Sequence, residues 1–343
     1  MTSFQAVVLT GRGGLDKLET KTFPITEPTP NQIRVKVLAT ASGATDLIMR
    51  KGTYIYAPNY PFTIGYVAVG MVDACGAKAQ NKFSIGQKVA GLLVHGGCAE
   101  YIIRDAEDFV PVVPSGLDDA QVVALILNYV TAYQMIHRFT KLKPGQTALI
   151  TSAAGGVGLA ALELLQILGV QAYAACSQKN FELVKRYGAI PILDSRSGTP
   201  VNKTLRKILP KGCDAAFDGI GGRQLWECVW ATRRGGSVVG FGFMGAVNKK
   251  TGAPANFASI RGILGCYFAK LYGRDGSFYG ITALYRKNRT PFREDFAKLC
   301  TLLGEGKINP VISKRFPLLA GKEAQEFLEQ GGSGTIVLSV DAS

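Results

Sequence analysis

An α/β protein in two parts, a doubly wound parallel sheet and a β-rich, barrel-like domain, is predicted by three observations. Residues 147–169 begin as an apolar run, pass through glycines and continue with helical spacing. After them, short apolar runs alternate with helical patterns as far as residue 241. Before them, residues 5–104 hold many short runs separated by glycine and proline. Alternating strands and helices build a parallel sheet, and closely spaced short strands build a barrel or sandwich. A chain of 343 residues has room for both.

Residues 5–9 and 32–39 read as strands, the second with period two and therefore half-buried, and Pro24, Pro28 and Pro30 mark the loop between them. Residues 64–72 form an apolar strand interrupted by Gly65 and Gly70, the mark of a bulge or of close backbone packing. A turn leads into a strand over 83–94, and 99–104 is another. The texture changes near 117. Residues 118–139 have helical spacing, and the apolar core at 122–136 is too short for a membrane span and carries Asn128 and Thr131, so it reads as a buried helix. Strands at 170–176, 213–218 and 236–241 alternate with helices at 180–187 and 223–232. An amphipathic helix at 292–305 and a strand at 335–340 close the chain.

Composition narrows the function classes. Apolar residues make up 47% and charged residues 19%, as in a folded globular enzyme rather than a disordered chain. Seven scattered cysteines include no C-x-x-C pair, so reduced thiols in a cytoplasmic protein are expected, and neither a disulfide framework nor a structural zinc site. The first residues read as a strand, not as a signal peptide. The net charge is +14, and residues 246–293 contribute nine Lys/Arg against one acid, Asp275. No nucleic-acid-binding module accompanies that charge, so nucleic acid is not the expected partner.

The segment Ala153-Ala154-Gly155-Gly156-Val157-Gly158 is a G-x-G-x-x-G turn with alanine in the first glycine's place. Between a strand and a helix, Gly155 lets backbone approach a pyrophosphate and Gly158 lets the helix pack on the strand, while the helix N-terminus faces the phosphates. An NAD site needs a carboxylate at the end of the second strand. Here that strand ends in Ala174-Ala175-Cys176-Ser177-Gln178-Lys179, and the first acid is Glu182. Ser177 and Lys179 suit a 2′-phosphate, so the expected cofactor is NADPH.

These motifs, with Gly13–Glu19, Pro61–Tyr66, Gly96–Tyr101, Asn128–Tyr133, Lys143–Gly145 and Gly306–Pro310 in the same order, resemble the medium-chain dehydrogenase/reductase superfamily, in its zinc-free quinone oxidoreductase-like branch of zeta-crystallin-like proteins and enoyl reductases. The resemblance implies a GroES-like β-rich catalytic domain over 1–125, rejoined by 270–343, and a Rossmann doubly wound parallel sheet binding NADPH over 126–269. It also implies a homodimer and a small-molecule substrate. The cofactor-binding set it implies is Asn128, Thr131, Ala154, Gly155, Gly156, Val157, Gly158, Ser177, Lys179, Ser195, Phe241, Gly242 and Phe243. Within it, Thr131, Phe241, Gly242 and Phe243 stand beside the nicotinamide. Ser177 and Lys179 stand at the 2′-phosphate, and Ser195 replaces a supporting tyrosine. Gly43 and Ile48 occupy the places of the Asn and Tyr of the quinone-reductase pocket.

Catalytic zinc needs three protein ligands. The chain has two histidines, His95 and His137, both read as structural or exposed, so no metal is expected. Without a Lewis acid, oxidation of an unactivated alcohol lacks a group to hold the developing alkoxide. Reduction of an α,β-unsaturated carbonyl or quinone needs only donors for an enolate. Candidate donors are Tyr54, Tyr66, Tyr129 and Tyr133, with Tyr54 first because it follows the active-site segment. The expected function is therefore NADPH-dependent reduction of an activated C=C bond or a quinone. Two alternatives remain open: a tailoring oxidoreductase or trans-acting enoyl reductase working on a larger substrate, and an NADPH-binding, membrane-associated scaffold using the basic, apolar stretch around Ile263, Leu264, Tyr267 and Phe268.

Overall fold

A computed structural model of the chain describes residues 3–194, 198–242 and 264–342. They form two compact units, Met1–Leu127 with Asn288–Ser343, and Asn128–Lys287.

The first unit opens with β1 (Ser3–Leu9) antiparallel to β2 (Leu18–Pro24). β2 escaped sequence reading because its face is largely polar and exposed; Pro24 stands at its last position, where no ladder donor is required. β3 (Gln32–Ser42) keeps the expected alternation and buries Ile33, Val35, Val37 and Ala39. Immediately after it comes α1 (Ala44–Arg50), whose first turn closes when the Gly43 N–H donates to Asp46 Oδ2 at 2.9 Å. β4 (Phe62–Thr63) joins β1, and β5 (Val67–Cys75), β6 (Lys88–Leu92), β7 (Tyr101–Asp105) and β8 (Phe109–Pro111) follow.

The helix expected at 118–139 is present as a composite. α2 (Asp119–Ala124) is capped by Asp118, which accepts from the Gln121 N–H at 2.9 Å. A π-helical turn, Leu125–Tyr129, leads into α3 (Val130–Gln134), and a second, Met135–Phe139, ends the run. Such turns widen the helix locally and recur at functional sites.

In the second unit, β9 (Thr147–Thr151), α4 (Gly156–Leu168), β10 (Gln171–Cys176), α5 (Phe181–Lys185) and β11 (Ile190–Leu193) are followed by α6 (Val201–Ile208), β12 (Cys213–Asp218), α7 (Arg223–Ala231), β13 (Thr232–Gly240), β14 (Asp275–Phe278) and α8 (Ile281–Lys287). The strands are parallel in the order β11-β10-β9-β12-β13-β14, which counted from β9 is 3-2-1-4-5-6. Residues 270–287, which the sequence reading grouped with the returning segment, cluster instead with this sheet, because β14 extends it beyond β13. α4 is apolar nearly all round and buries Leu159 to Leu165; Gly169, at φ +74°, ends it in the left-handed conformation.

The chain re-enters the first unit through α9 (Thr290–Gly304), β15 (Ile312–Pro317), α10 (Gly321–Glu329) and β16 (Thr335–Ser339). The resulting sheet has the order β15-β16-β3-β5-β6-β8, with β7 also paired to β3. Its core gathers Ile33, Val35, Val37, Phe83, Val89, Ile102 and Phe109 with Leu318 from the returning segment.

Candidate functional site

In the second unit, the strand β9 stops at Thr151 because Ser152 takes φ +52° and turns the chain. Gly155 donates its N–H to Ser152 O at 2.9 Å and becomes the N-cap of α4, with no side-chain cap. The first internal bond of the helix is Leu159 N–H to Gly155 O, also 2.9 Å, so the opening N–H groups are held at the tip of the turn without a capping side chain. A Cβ on Gly158 would fall 2.6 Å from Ala153 O and closer still to Ser152 O, so only glycine lets α4 sit this near β9. A Cβ on Gly156 would lie 2.5 Å from Asn128 Nδ2, so the amide of Asn128 rests against the turn. Asn128 reaches it from the first π-helical turn.

Thr131, three residues on, is 4% exposed, and its Oγ1 is buried with no hydrogen-bond partner. A buried hydroxyl costs free energy unless a polar group meets it.

One element of the site gave no sequence signal beyond the end of a strand. Asp218, fully buried at the end of β12, accepts from Thr151 Oγ1 at 2.6 Å and from the Gly221 N–H at 2.7 Å, while the Gly219 N–H donates to Thr151 Oγ1 at 3.1 Å. Burial raises its carboxyl above the ordinary carboxylate range, against the pull of these bonds. The network fastens the carboxyl ends of β9 and β12. Phe241 donates its N–H to Asp218 O at 2.8 Å, and a Cβ on Gly242 would run into Gly219 O, so residues 219 and 242 cross backbone on backbone. A short acidic side chain among apolar residues does not announce such a role in sequence.

Ser177 and Lys179 follow β10. The Asn180 Nδ2 donates to Ser177 Oγ at 3.2 Å, and Lys179 is exposed. Asp194, which sequence reading passed over, is buried beyond β11 and donates its N–H to Cys176 O at 3.2 Å, next to the strand end that carries Ser177. Ser195 and Phe243 lie outside the described residues, as does Ile263.

In the first unit, Tyr54 lies in the loop after α1, half-buried, and shares a hydrogen bond of 2.6 Å with the hydroxyl of Tyr66. Asp46 is held by the N–H groups of Gly43 and Gly65, its Oδ1 has no hydrogen-bond partner, and burial pushes its carboxyl up to about 6. Ser42 Oγ, just before it, is also buried without a partner. Arg50 anchors the other end of α1. It is 2% exposed and donates to Gln325 Oε1 at 2.7 Å and to Glu329 Oε1 at 2.5 Å, both on α10.

The remaining tyrosine candidates are engaged elsewhere. Tyr129 donates to the buried Glu163 at 2.5 Å, and Tyr133 packs on His137 with ring centroids 4.2 Å apart. His95 meets Arg104 Nη2 at 3.0 Å and the Phe62 ring edge-on. Among the described residues, no group of three His, Cys, Asp or Glu side chains could hold a metal ion, and no helix is long and apolar enough to cross a membrane.

Two family profiles match the chain in succession: "Alcohol dehydrogenase GroES-like domain" over residues 29–115 and "Zinc-binding dehydrogenase" over residues 156–275. The chain belongs to the medium-chain dehydrogenase/reductase superfamily. Within that superfamily it is 28% identical to the zebrafish (Danio rerio) protein named synaptic vesicle membrane protein VAT-1 homolog, over 99% of this chain and 70% of that protein. It is 26% identical to human quinone oxidoreductase, over 90% of this chain and 88% of that protein. A mycobacterial protein solved in complex with NADPH shares the fold with a TM-score of 0.80 at 23% identity, over 98% of this chain and 99% of that one. The α/β reading, a parallel Rossmann-like sheet with a GroES-like domain, is thereby shown.

Proposed function

We propose that this protein is an NADPH-dependent reductase of activated double bonds, acting on α,β-unsaturated carbonyls or quinones without a metal. The observation that carries the reading is the turn from β9 to α4, where glycines bring uncapped helical N–H groups to the surface of a sheet ordered 3-2-1-4-5-6. The unmatched Thr131 hydroxyl fits the same ligand, as a partner for a polar group at its nicotinamide end. Gly155, Gly156, Val157 and Gly158 hold the pyrophosphate against the helix N-terminus, with Ala154 below and Asn128 alongside. Ser177 and Lys179 bind the 2′-phosphate, the Ser177 hydroxyl by hydrogen bonding and Lys179 by charge. Phe241 and Gly242 carry backbone beside the nicotinamide.

The bound reduced nicotinamide supplies a hydride to the β-carbon of the acceptor. Tyr54 serves as the acid that completes the reduction. A metal-free reaction is in keeping with a chain that holds two histidines, His95 beside Arg104 and His137 packed on the Tyr133 ring. The similarity to human quinone oxidoreductase agrees with this chemistry. A homodimer is supported by β14, which ends the order of the parallel sheet, and by the exposed Leu264, Tyr267, Phe268 and Leu271 just before it.

NADPH oxidation against a panel of enones and quinones, with a chelator present, tests the reading. Turnover that survives the chelator and prefers NADPH supports it; abolition by the chelator, or a wide preference for NADH, rejects it. A second reading, an NADPH-binding protein at membranes, draws on that exposed aromatic stretch and on the name of the VAT-1 relative. Flotation with anionic liposomes together with an inactive panel would favour it.

A further inference from the structure

We infer that Glu163 is a positioning residue of the cofactor site, acting through Tyr129 to hold the first π-helical turn in the register that lays Asn128 against the pyrophosphate turn. This rests on the cofactor part of the reductase reading above, and every residue in it belongs to the second unit.

α4 runs Gly156-Val157-Gly158-Leu159-Ala160-Ala161-Leu162-Glu163-Leu164-Leu165-Gln166-Ile167-Leu168, and Glu163 is its one charged side chain. Leu162, Leu164 and Leu165 around it are buried, and Glu163 itself is 9% exposed. Packing does not call for a carboxylate here. An apolar side chain would fill the same space without the desolvation that a buried charge incurs. Buried polar groups of this kind are best attested as devices that fix register. Glu163 Oε2 accepts from the Tyr129 hydroxyl at 2.5 Å, and Tyr129 is 3% exposed.

Tyr129 ends the π-helical turn Leu125–Tyr129, and Asn128 comes just before it. The two neighbours meet α4 seven positions apart. Asn128 lies against Gly156, where a Cβ would fall 2.5 Å from its Nδ2, and Tyr129 bonds to Glu163. Seven residues are about two helical turns, roughly 10 Å along one face of α4. Two contacts at that spacing fix both where the turn sits along α4 and how it is rotated; a single contact leaves the rotation open. A π turn holds one residue more than α-helical spacing would use. Relaxation to α-helical spacing would slip the segment by one residue, a rotation of about 100°, and carry the Asn128 amide off the glycine turn. The bond from Tyr129 to Glu163 opposes that slip.

The test is a fluorescence titration with NADPH of wild type, Tyr129→Phe, Asn128→Ala, the double variant Tyr129→Phe/Asn128→Ala, Glu163→Gln and Glu163→Leu. Each is read well below its urea midpoint, so that lost stability does not count as lost affinity. Tyr129→Phe keeps the ring and loses the O–H, and is expected to raise Kd about tenfold. Because Tyr129 works by placing Asn128, the double variant is expected to bind no more weakly than Asn128→Ala alone. In Glu163→Gln the amide oxygen still accepts, so its Kd is expected within about twofold of wild type, while Glu163→Leu matches Tyr129→Phe. A wild-type Kd in Tyr129→Phe or in Asn128→Ala, additive losses in the double variant, or a Glu163→Gln as weak as Glu163→Leu each overturns the role of Glu163 and leaves the cofactor reading standing. Should Tyr129→Phe not fold, the two Glu163 variants decide by the same comparison. Wild type that fails to bind NADPH overturns the cofactor reading, and this inference with it.

Discussion

Substituting Gly155 separates a ligand contact from a folding requirement. Gly155 has φ −79° and ψ 171°, a conformation open to any residue, and a Cβ there would meet only Ser152 O, at 3.3 Å. Alanine at an N-cap costs roughly 0.5–1 kcal/mol relative to glycine's near-neutral capping, while the narrower unfolded ensemble returns about 0.4–1 kcal/mol. The two nearly cancel, so Gly155→Ala should keep its denaturation midpoint. The added methyl group, however, stands where the pyrophosphate must approach the backbone, and affinity for NADPH should fall at least tenfold, about 1.4 kcal/mol or more. Gly158→Ala is the contrast: its Cβ presses on backbone oxygens of residues 152 and 153, which cannot move aside as a flexible side chain can. Overpacking of this kind costs roughly 1–3 kcal/mol, so stability and binding should fall together. Urea unfolding and fluorescence titration with NADPH measure both quantities for each variant. If Gly155→Ala binds NADPH as tightly as wild type, the pyrophosphate does not lie over this turn.

Burial raises the Asp46 carboxyl from 3.8 to about 6, so the folded protein holds a proton there that the unfolded chain gives up. The stabilising effect of that proton is complete below about pH 4 and is lost as the pH rises through 6, on the order of 3 kcal/mol; in Asp46→Asn this part of the decline should vanish from unfolding curves taken between pH 4 and 7, and an unchanged slope would exclude it. Arg50→Met removes a buried cation from Gln325 and Glu329; because Glu329 is partly exposed and also lies 3.8 Å from Lys51, the loss should be about 2–3 kcal/mol in urea unfolding, and a neutral result would mean that α10 is held otherwise. Lys179→Ala should raise KM for NADPH and leave NADH nearly untouched, with equal effects on both rejecting the 2′-phosphate role.

The second unit was more legible in sequence than the first because buried parallel strands are continuous apolar runs and its helices keep their period. Residues 147–169, 170–176 and 213–218 declared themselves for that reason. β11, four residues with two of them exposed, did not. In the first unit, β2 and β15 are exposed and polar over most of their length, and α10 has too few apolar residues to show a period. The glycine turn was readable because each glycine answers a steric demand of the chain itself. Asp218, the unmatched Thr131 oxygen and the Tyr54–Tyr66 contact were not, because each depends on residues brought together from distant stretches of chain. Tyr129 shows the converse, for its ring and hydroxyl type suited a donor, and only Glu163, 34 positions away, reveals that it is engaged.

The pairing of β16 with β3, which sets Ile336 against Ser42 and Leu338 against Thr40, has a consequence for biosynthesis. The strand leading into α1 is translated before the parallel sheet, but the neighbour that covers one of its edges is translated after it. Among the described residues, the six strands of the parallel sheet are all in hand once Phe278 is free of the exit tunnel. On the growing chain, the parallel sheet is therefore able to mature while the other unit still waits for β16, against the usual N-terminus-first order.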